Sequence, residues 1–360
     1  MTEAVLLVGG KGTRLRPLTV NTPKPMLPTA GVPFLHHLLS MARAAGIDHV
    51  VLATSYRPEV FRDGIGDGAA LGLRVDYVSE DVPMGTGGAI RNVADLLESG
   101  PDDPVVILNG DILSGHDLAA QVAAHVNSRA AVTLHLTEVE DPRAFGAVPT
   151  DAAGRVTAFL EKAPEPVTNR INAGCYVFTR KVIDGIPTGR PVSVERETFP
   201  ELVTSGALVL GHVDAAYWLD LGTPAAFVQG SADLVRGVLA SPALPGTPGE
   251  SLQLAGSSVA ADAQLSGGTV VGAGARIDAG AVVDGSVVLD DAVVGAAAVV
   301  RHSVVGRGAR VGAGVLLTGA VVGDGAEVGE GNELVAGARV WCDARLPAYS
   351  LRFSPDEPSV

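Results

Sequence analysis

Three observations predict an α/β domain followed by a domain of short, coiled β-strands. Over residues 1–240, short apolar runs alternate with segments whose apolar residues have helical spacing. Residues 241–251 form a stretch rich in Pro, Gly and Ser that shows no periodicity. Beyond it, aliphatic residues recur at intervals of five or six, with glycine and alanine between them. Strands that alternate with helices form βαβ units, so we expect a Rossmann-like mixed, mainly parallel sheet in the first part.

Short runs of aliphatic and β-branched residues are the predicted strands of the first part. They are Ala4–Gly9, His49–Thr54, Leu73–Val78, Val105–Asn109, Val132–Thr137, Val156–Glu161, Gly174–Thr179 and Leu208–Val213. The predicted helices are Phe34–Ala45, Thr86–Glu98, His116–Asn127, Val194–Val203 and Ala225–Leu239. Ligands of parallel sheets bind at the carboxyl ends of the strands. The loops that follow these strands are therefore where we expect functional residues.

The last part of the chain repeats every 17 residues. The repeat is clearest from Thr269 to Gly319, where three blocks begin TVV, SVV and SVV. Within each block, aliphatic residues are spaced by six, six and five positions, as at Val271, Ile277 and Val283. This spacing fits coils of three short strands, in which inward residues stack about 4.8 Å apart from coil to coil. The pattern resembles the hexapeptide-repeat left-handed parallel β-helix, and the handedness comes from this resemblance alone.

The predicted domain organisation follows from these segments. The first domain is predicted to span residues 1–240, and a linker follows at 241–251. The β-helix is predicted to span 252–345, and residues 346–360 form a C-terminal tail. In the β-helix, the blocks before and after the three clear ones, Leu252–Gly268 and Ala320–Ala336, fit the same frame. Five coils exceed the roughly three repeats that such a fold needs for stability.

Composition excludes several classes of partner. The formal net charge of −14 argues against nucleic acid and against an anionic membrane surface. Cys175 and Cys342 have no CxxC spacing, so we predict neither a disulfide framework nor a zinc site. No apolar run approaches the ~18 residues needed to span a bilayer. The first residues also lack the pattern of a signal peptide, so we expect a cytoplasmic protein.

The first predicted strand continues into a glycine-rich loop, VGGKGTRLRPLT. Its three glycines let backbone N–H groups close on an anion, and Arg14 adds a planar, bidentate donor for phosphate oxygens. The loop is not a Walker A motif, because it lacks GKS or GKT. It is a poor dinucleotide fingerprint, because Leu15 stands where that motif needs its third glycine. Lys24 follows between Pro23 and Pro25, which restrict the backbone on both sides of it.

The string G-G-x-G-T-R-L-x-P-L-T, followed by P-K-P, resembles the signature of the sugar-1-phosphate nucleotidylyltransferases, also called nucleoside diphosphate-sugar pyrophosphorylases. In that family the loop binds the nucleoside triphosphate. The Arg contacts the leaving phosphates and the Lys contacts the phosphates at the reacting centre, which implies catalytic roles for Arg14 and Lys24. The nucleotide-binding residues that the resemblance implies are Leu7, Gly9, Gly10, Gly12, Thr13, Arg14, Glu80, Gly85 and Thr86.

A second glycine-rich stretch, SEDVPMGTGGAIRNV, follows a predicted strand and opens a predicted helix. In the family this loop reads the base. Glu80 stands where several relatives that use uridine or thymidine nucleotides carry Gln. A carboxylate can accept from both N1–H and N2–H₂ of guanine but cannot donate to a pyrimidine carbonyl. This chemistry favours GTP, and a solvent-exposed acid with no part in base recognition is the alternative.

The strand VVILN ends in the sequence Asn-Gly-Asp, in which the aspartate is Asp111. An aspartate at a strand end near a phosphate site suits Mg²⁺, which takes one or two carboxylates together with phosphate oxygens. Taken alone, such an aspartate also fits a turn or a helix cap. In the family, the aspartate of NGD is a metal ligand and a late motif supplies the second. Here YWLDLGTP supplies Asp220, and the pairing comes from the resemblance.

Three further segments, AFGAV, AFLEKAPEP and INAGCYVF, resemble the part of the family's site that holds the sugar phosphate. In the family, the Lys binds the phosphate, while the Glu and the Asn bind hydroxyl groups of the ring. The sugar-phosphate residues implied here are Lys24, Gly146, Glu161, Lys162 and Asn172.

The phrases INAGCYVF, GRPVSVERETFPEL and YWLDLGTP are most similar to those of actinobacterial mannose-1-phosphate guanylyltransferases. That resemblance implies Mg²⁺-assisted, in-line attack of mannose 1-phosphate on the α-phosphorus of GTP, giving GDP-mannose and pyrophosphate. Thymidylyl or adenylyl transfer to glucose 1-phosphate is an alternative. A regulatory subunit that binds nucleotide sugars without turnover is an alternative of another class. We expect a homo-oligomer, in which the β-helix supports the catalytic domain or joins subunits.

Overall fold

The structure is a computed structural model that describes residues 2–162 and 164–352. Its contacts group into two compact units. Unit 1 comprises the chain up to Gly10 together with Leu38–Leu219, and unit 2 comprises Lys11–His37 together with the chain from Asp220 onward. The predicted boundaries at 240, 252 and 346 stay predictions, and the tail beyond residue 352 lies outside the described residues. No helix of the described chain has the length and apolar character needed to cross a membrane.

Strands and helices alternate along the described chain up to Arg236, as predicted. In chain order the strands are β1 (Glu3–Leu7), β2 (Pro28–Thr29), β3 (Val32–Pro33), β4 (His49–Thr54), β5 (Arg74–Ser79), β6 (Pro104–Asn109), β7 (Ile112–Ser114), β8 (Val132–Glu138), β9 (Gly146–Ala147), β10 (Leu160–Glu161), β11 (Arg170–Thr179), β12 (Val209–Val213) and β13 (Trp218–Asp220). The helices are α1 (Phe34–Ala44), α2 (Pro58–Ile65), α3 (Gly85–Asn92), α4 (Leu118–Ser128), α5 (Arg180–Asp184), α6 (Phe199–Thr204) and α7 (Pro224–Arg236). Shorter turns of 3₁₀ helix occur at Thr13–Leu15, Lys24–Met26, Ala69–Leu71, Ala94–Leu96 and Pro142–Ala144, and a π-helical turn occurs at Val194–Thr198.

Unit 1 is built on a nine-stranded mixed sheet in the order β10-β9-β11-β6-β1-β4-β5, with β8 beside β11 and β12 beside β8. The strands β6, β1, β4 and β5 run parallel to one another, and β12 is parallel to β8. β11 runs antiparallel to β6 and β8, and β9 runs antiparallel to β10. Val5, Val51 and Ile107 on the parallel strands are buried in one apolar core. The predicted Rossmann-like mixed sheet is therefore confirmed.

The predicted helix Thr86–Glu98 is longer than the observed helix, which ends at Asn92. After Asn92 the chain forms the 3₁₀ turn Ala94–Leu96. The buried carboxylate of Glu3 on β1 accepts hydrogen bonds from the backbone N–H groups of Glu98 and Ser99, so these two residues are not helical. The apolar spacing of the segment did not reveal this contact, because its acceptor lies about a hundred residues earlier in the chain.

The predicted helix Val194–Val203 is also divided in the structure. Its first half is the π-helical turn Val194–Thr198, and its second half is α6. Pro200 lies in the first turn of α6, where its missing N–H removes one helical hydrogen bond from the preceding turn. Of the predicted strand Val156–Glu161, only Leu160–Glu161 forms a strand. The Val156 N–H still donates to the Val209 carbonyl on β12, but the next residue, Thr157, donates locally to the Pro149 carbonyl.

Unit 2 contains a parallel β-helix whose strands stack in three sheets. The strands are β14 (Ser251–Gln253), β15 (Ser258–Val259), β16 (Gln264–Ser266), β17 (Thr269–Val271), β18 (Arg276–Ile277), β19 (Val282–Asp284), β20 (Val287–Val288), β21 (Val293–Val294), β22 (Val299–Arg301), β23 (Val304–Val305), β24 (Arg310–Val311), β25 (Leu316–Thr318), β26 (Val321–Val322), β27 (Glu327–Val328), β28 (Glu333–Leu334), β29 (Arg339–Val340) and β30 (Arg345–Leu346). Every third strand joins the same sheet, as in β14-β17-β20-β23-β26-β29. The prediction of a left-handed β-helix after the α/β domain is confirmed.

The register of the β-helix follows the predicted repeat over its central coils. Val271 pairs with Val288, which lies 17 residues later, and their side chains are buried in the interior. The first coil is one residue longer than predicted, because Leu252 pairs with Val270. Two consecutive glycines before β17 accommodate the additional residue. The block Leu252–Gly268 is therefore a coil, but it does not keep the 17-residue frame. The coil that begins at Ala320 is also one residue longer than predicted, because Val322 pairs with Val340.

Candidate active site

The carboxyl ends of β1 and β6 lie side by side at one edge of the sheet in unit 1. Leu7 at the end of β1 is paired in register with Asn109 at the end of β6. The N–H of Gly110 then donates to the Leu7 carbonyl at 2.9 Å, and Asp111 follows immediately. The loop that begins after β1 and the aspartate of NGD are thus neighbours. The predicted site residues at this edge are Leu7, Gly9, Gly10 and Asp111.

Glu80 follows β5 at the same edge, and α3 orients its carboxylate. The backbone N–H of Glu80 donates to the Thr54 carbonyl at the end of β4, at 2.9 Å. One carboxylate oxygen accepts from the Met84 N–H at 3.2 Å, and the other accepts from Asn92 Nδ2 at 3.0 Å. The carboxylate that is predicted to read the base is therefore held in place by both ends of α3.

Gly85 begins α3, and the next residue, Thr86, is bound to the turn that precedes α6. Thr86 Oγ1 donates to Glu195 Oε2 at 2.7 Å and accepts from the Val194 N–H at 3.0 Å. Ser193 Oγ donates to the same carboxylate oxygen at 2.7 Å. Glu195 thus orders the predicted base-binding loop from a second segment. The sequence alone did not indicate this role for Glu195, although the residue lies within the segment GRPVSVERETFPEL.

The strands β9, β10 and β11 bring together the predicted sugar-phosphate residues of unit 1. Gly146 on β9 pairs in register with Glu161 on β10. Lys162 Nζ lies 3.7 Å from Glu161 Oε1, and its side chain is largely exposed, so this ion pair adds little to stability. Asn172 on β11 donates from Nδ2 to the Tyr176 hydroxyl at 2.8 Å. Of the predicted sugar-phosphate set, Lys24 is the one member that belongs to unit 2.

Tyr176 links this group of residues to the end of β6. Its side chain is fully buried, and its hydroxyl contacts the side chains of Asn172 and Asn109. Burial, together with the carboxylate of Glu195, raises the pKa of the Tyr176 hydroxyl well above its usual range. The phenol therefore stays neutral and acts only as a hydrogen-bonding group. The sequence did not predict this role, because it depends on neighbours from three separate segments.

In unit 2, one carboxylate lies between the two predicted phosphate-binding cations. Asp220 Oδ2 is 3.8 Å from Arg14 Nη2, and Asp220 Oδ1 is 3.6 Å from Lys24 Nζ. We call these three residues the cation cluster. The Lys24 side chain is 10% exposed and that of Arg14 is 65% exposed. Lys24 therefore needs a neighbouring anion for its charge, whereas Arg14 is open to solvent and to a ligand.

Gly12 connects the glycine-rich loop to the cation cluster. Its φ of 58° lies in the left-handed region, and a Cβ there would lie 3.1 Å from the Cβ of Lys24. The buried Thr19 hydroxyl donates to the Gly12 carbonyl at 2.7 Å. Thr13 then begins the 3₁₀ turn that carries Arg14. Within unit 2, Gly12 and the side chain of Lys24 are thus packed together.

The two predicted metal ligands are both carboxylates, Asp111 in unit 1 and Asp220 in unit 2. Among the residues that the structure describes, no group of three or more His, Cys, Asp or Glu side chains could hold a metal ion. Carboxylate oxygens are the donors that Mg²⁺ takes from proteins, one or two at a time, together with water and substrate phosphates. They do not suit metals that prefer nitrogen and sulfur donors. The residues present therefore fit Mg²⁺.

The chain belongs to the nucleotidyl transferase family, whose sequence profile matches residues 3–237. Residues 249–346 match the profile described as the GMPPB C-terminal domain. One relative, named mannose-1-phosphate guanylyltransferase, from Mycobacterium tuberculosis, is 61% identical over 75% of this chain and 75% of its own length. Mannose-1-phosphate guanylyltransferase 1 of Arabidopsis thaliana is 36% identical over 63% of each chain. The family resemblance seen in the motifs is confirmed, and the protein is a nucleotidyltransferase.

Solved structures give the same fold. HddC from Yersinia pseudotuberculosis, also solved in complex with GMP-PN, is 27% identical, with a TM-score of 0.57 over 65% of this chain and 100% of that one. A putative glucose-1-phosphate thymidylyltransferase from Bacillus anthracis is 23% identical, with a TM-score of 0.60 over 67% of this chain and 98% of that one. The second similarity concerns the fold alone.

Gly222 leaves the space in which the cation cluster forms. A Cβ at this position would collide with Arg14 Nη2 and would lie 2.9 Å from Asp220 Oδ1. We expect Gly222→Ala to displace the guanidinium and to lower kcat/KM for nucleotidyl transfer by roughly tenfold or more, because it disturbs a positioned cation. Steady-state kinetics and the melting temperature check this expectation.

The matched control is Gly249→Ala, which makes the same change in the same unit. The nearest atom to a Cβ there is 3.9 Å away, so the methyl group fits. We expect this control to keep wild-type kinetics. If both variants were equally active, the cluster would not be needed for turnover.

Proposed function

We propose that the protein transfers a guanylyl group from GTP to mannose 1-phosphate, giving GDP-mannose and pyrophosphate. The 61% identical relative carries the name of this activity, and the C-terminal match is to a domain named after GMPPB. The structurally similar HddC has been solved with GMP-PN, a guanine nucleotide analogue. The homo-oligomeric state and the cytoplasmic location expected from the sequence stay predictions.

The observation that carries the proposal is the cation cluster. Arg14 and Lys24 converge on a single carboxylate, that of Asp220, directly beside the glycine-rich loop. A triphosphate carries more negative charge than one carboxylate, so it can take over as the partner of both cations. The strongly acidic protein thus presents a local, positively charged site for an anion.

The reaction needs positioned charges and no proton transfer. A phosphate oxygen of mannose 1-phosphate attacks the α-phosphorus of GTP, and the bond from this phosphorus to the oxygen that bridges to the β-phosphate breaks. Pyrophosphate leaves with that oxygen. Because the nucleophile is already an anion, acceleration comes from alignment and from charge neutralisation. We assign Arg14 to the leaving pyrophosphate and Lys24 to the phosphates at the reacting centre.

The sugar phosphate is assigned to the residues gathered by β9, β10 and β11. Lys162 would bind the phosphate, and its exposed side chain is free to reach a ligand. Glu161 and Asn172 would bind ring hydroxyls beside Gly146, and Tyr176 fixes the amide of Asn172. Asp111 and Asp220 are the residues that would hold Mg²⁺, which supplies further charge neutralisation on phosphate oxygens when it is bound.

Substrate preference tests the proposal directly. Pyrophosphate release should be measured with GTP, ATP, UTP and dTTP, each combined with mannose 1-phosphate and with glucose 1-phosphate. We expect GTP with mannose 1-phosphate to give a kcat/KM at least roughly tenfold above the other pairs. A preference for dTTP or ATP with glucose 1-phosphate would support the alternative transferase. Tight nucleotide-sugar binding without pyrophosphate release would indicate a regulatory subunit.

Glu80 generates a prediction about base recognition. Guanine offers N1–H and N2–H₂ to the carboxylate, whereas hypoxanthine offers only N1–H. We therefore expect wild type to prefer GTP over ITP and Glu80→Gln to lose roughly tenfold of this preference, because one charged acceptor is removed. The ratio of kcat/KM for the two nucleotides is the measurement.

Asp81→Asn is the matched control, since it removes the same charge from the exposed neighbouring residue. We expect it to keep the wild-type ratio of GTP to ITP. An unchanged ratio in Glu80→Gln would show that this acid has no part in base recognition.

A further inference from the structure

The β-helix touches the segment that directly follows Arg14. Arg339 on β29 donates from Nη1 to the Arg16 carbonyl at 2.6 Å. The Cys342 thiol lies 3.7 Å from the Pro17 carbonyl, its acceptor. All of these residues belong to unit 2. The backbone two and three positions after the phosphate-binding arginine is therefore bound by residues more than 320 positions later in the chain.

The same segment has a third contact with the β-helix. Asp324, in the turn after β26, accepts a hydrogen bond from the side chain of Asn21. The Asp324 carboxylate is in turn fixed by the Arg307 N–H of the preceding coil, at 2.9 Å. Two neighbouring coils of the β-helix thus contact the segment 16–21, one at its first residues and the other at its last residue. We call residues 16–21 the supported segment.

The supported segment is connected to the cation cluster by buried contacts. Thr19 in its middle donates to the Gly12 carbonyl, and the N–H of Leu15 donates to the same carbonyl at 3.0 Å. Leu15 and Leu18 are both buried, which leaves the segment little freedom to move alone. A shift of the supported segment would therefore shift Gly12 and the turn that carries Arg14.

Of these three contacts, we expect the hydrogen bond from Arg339 to contribute most to keeping the supported segment in position. A guanidinium donating to a carbonyl is a charge-assisted hydrogen bond, stronger than a neutral one. The Cys342 thiol is a weak donor, and Asn21 is uncharged. Arg339 is also exposed, so its replacement leaves the β-helix interior intact.

We propose that Arg339 is a positioning residue for nucleotide binding: its bond to the Arg16 carbonyl holds the supported segment, and thereby Arg14, in place for the triphosphate. In this proposal the β-helix helps to position the nucleotide-binding residues, in addition to any role in joining subunits. This role rests on the proposed function, in which Arg14 binds phosphate. It predicts an effect on the nucleotide that is separate from any effect on the sugar phosphate.

The kinetic test compares Arg339→Ala with Arg345→Ala. Arg345 is an exposed arginine on β30 that pairs with Glu327 at 3.5 Å, so its removal is a matched loss of surface charge. We expect Arg339→Ala to raise the KM for GTP or lower kcat by roughly tenfold, with the KM for mannose 1-phosphate and the melting temperature unchanged. Arg339→Lys should restore part of the loss, because an ammonium group can still donate to the carbonyl. Arg345→Ala should resemble wild type.

Limited trypsin digestion gives a second readout that does not depend on activity. The bond after Arg14 is a cleavage site, and each variant removes one arginine of the β-helix, so the two digests are comparable. We expect cleavage after Arg14, identified by mass spectrometry, to be several-fold faster in Arg339→Ala than in Arg345→Ala, because local opening is easier.

The outcomes separate this inference from the proposed function. Equal cleavage rates would overturn the support of the segment by Arg339, whatever the substrate is. Faster cleavage with unchanged GTP kinetics would overturn the positioning role. A wild-type protein inactive with GTP would overturn the proposed function and with it the role in nucleotide binding, while the digests would still report on the contact.

Discussion

The carboxylate of Asp220 is the constraint on which the arrangement of the phosphate-binding cations depends. Lys24 is almost buried, and a buried ammonium destabilises a fold unless an anion lies beside it. Asp220 provides that anion and also faces Arg14, because Gly222 leaves no side chain in the way. Lys24 is therefore held before any substrate binds, and the exposed side chain of Arg14 lies beside the same carboxylate. Charges that are already in position need little reorganisation during a reaction in which negative charge moves.

Residues distant in the sequence maintain this arrangement. Gly12 packs against the stem of Lys24, and Thr19 ties that glycine to the supported segment. The β-helix supplies Arg339 to the same segment. The stacked, fully buried aliphatic residues of its interior make the β-helix a rigid base for such a contact. In unit 1, Glu195 and Tyr176 have a similar positioning role. Glu195 accepts a hydrogen bond from Thr86 in the proposed base-binding loop, and Tyr176 accepts one from Asn172, which is proposed to bind the sugar.

The sequence predicted those features that depend on local pattern. The spacing of six, six and five residues predicted that Val271 and Val288 stack in neighbouring coils, and the structure pairs these two residues. The motifs indicated Arg14, Lys24 and Asp220, and the structure brings these three together. Contacts between distant segments were not predictable, because no local pattern encodes them. Thr86 Oγ1 donates to a carboxylate 109 positions away in the sequence. The amides of Glu98 and Ser99, at the end of the predicted helix, bind Glu3 instead. The two longer coils were not predicted, because one inserted residue leaves the aliphatic pattern almost unchanged.

A crystal structure with a non-hydrolysable GTP analogue and Mg²⁺ would show whether Arg14 and Lys24, which flank Asp220, bind the triphosphate. We expect nitrogen atoms of both side chains within about 3.2 Å of phosphate oxygens, with the backbone of the glycine-rich loop unchanged. A triphosphate bound away from both cations, with both still paired with Asp220, would rule out this role.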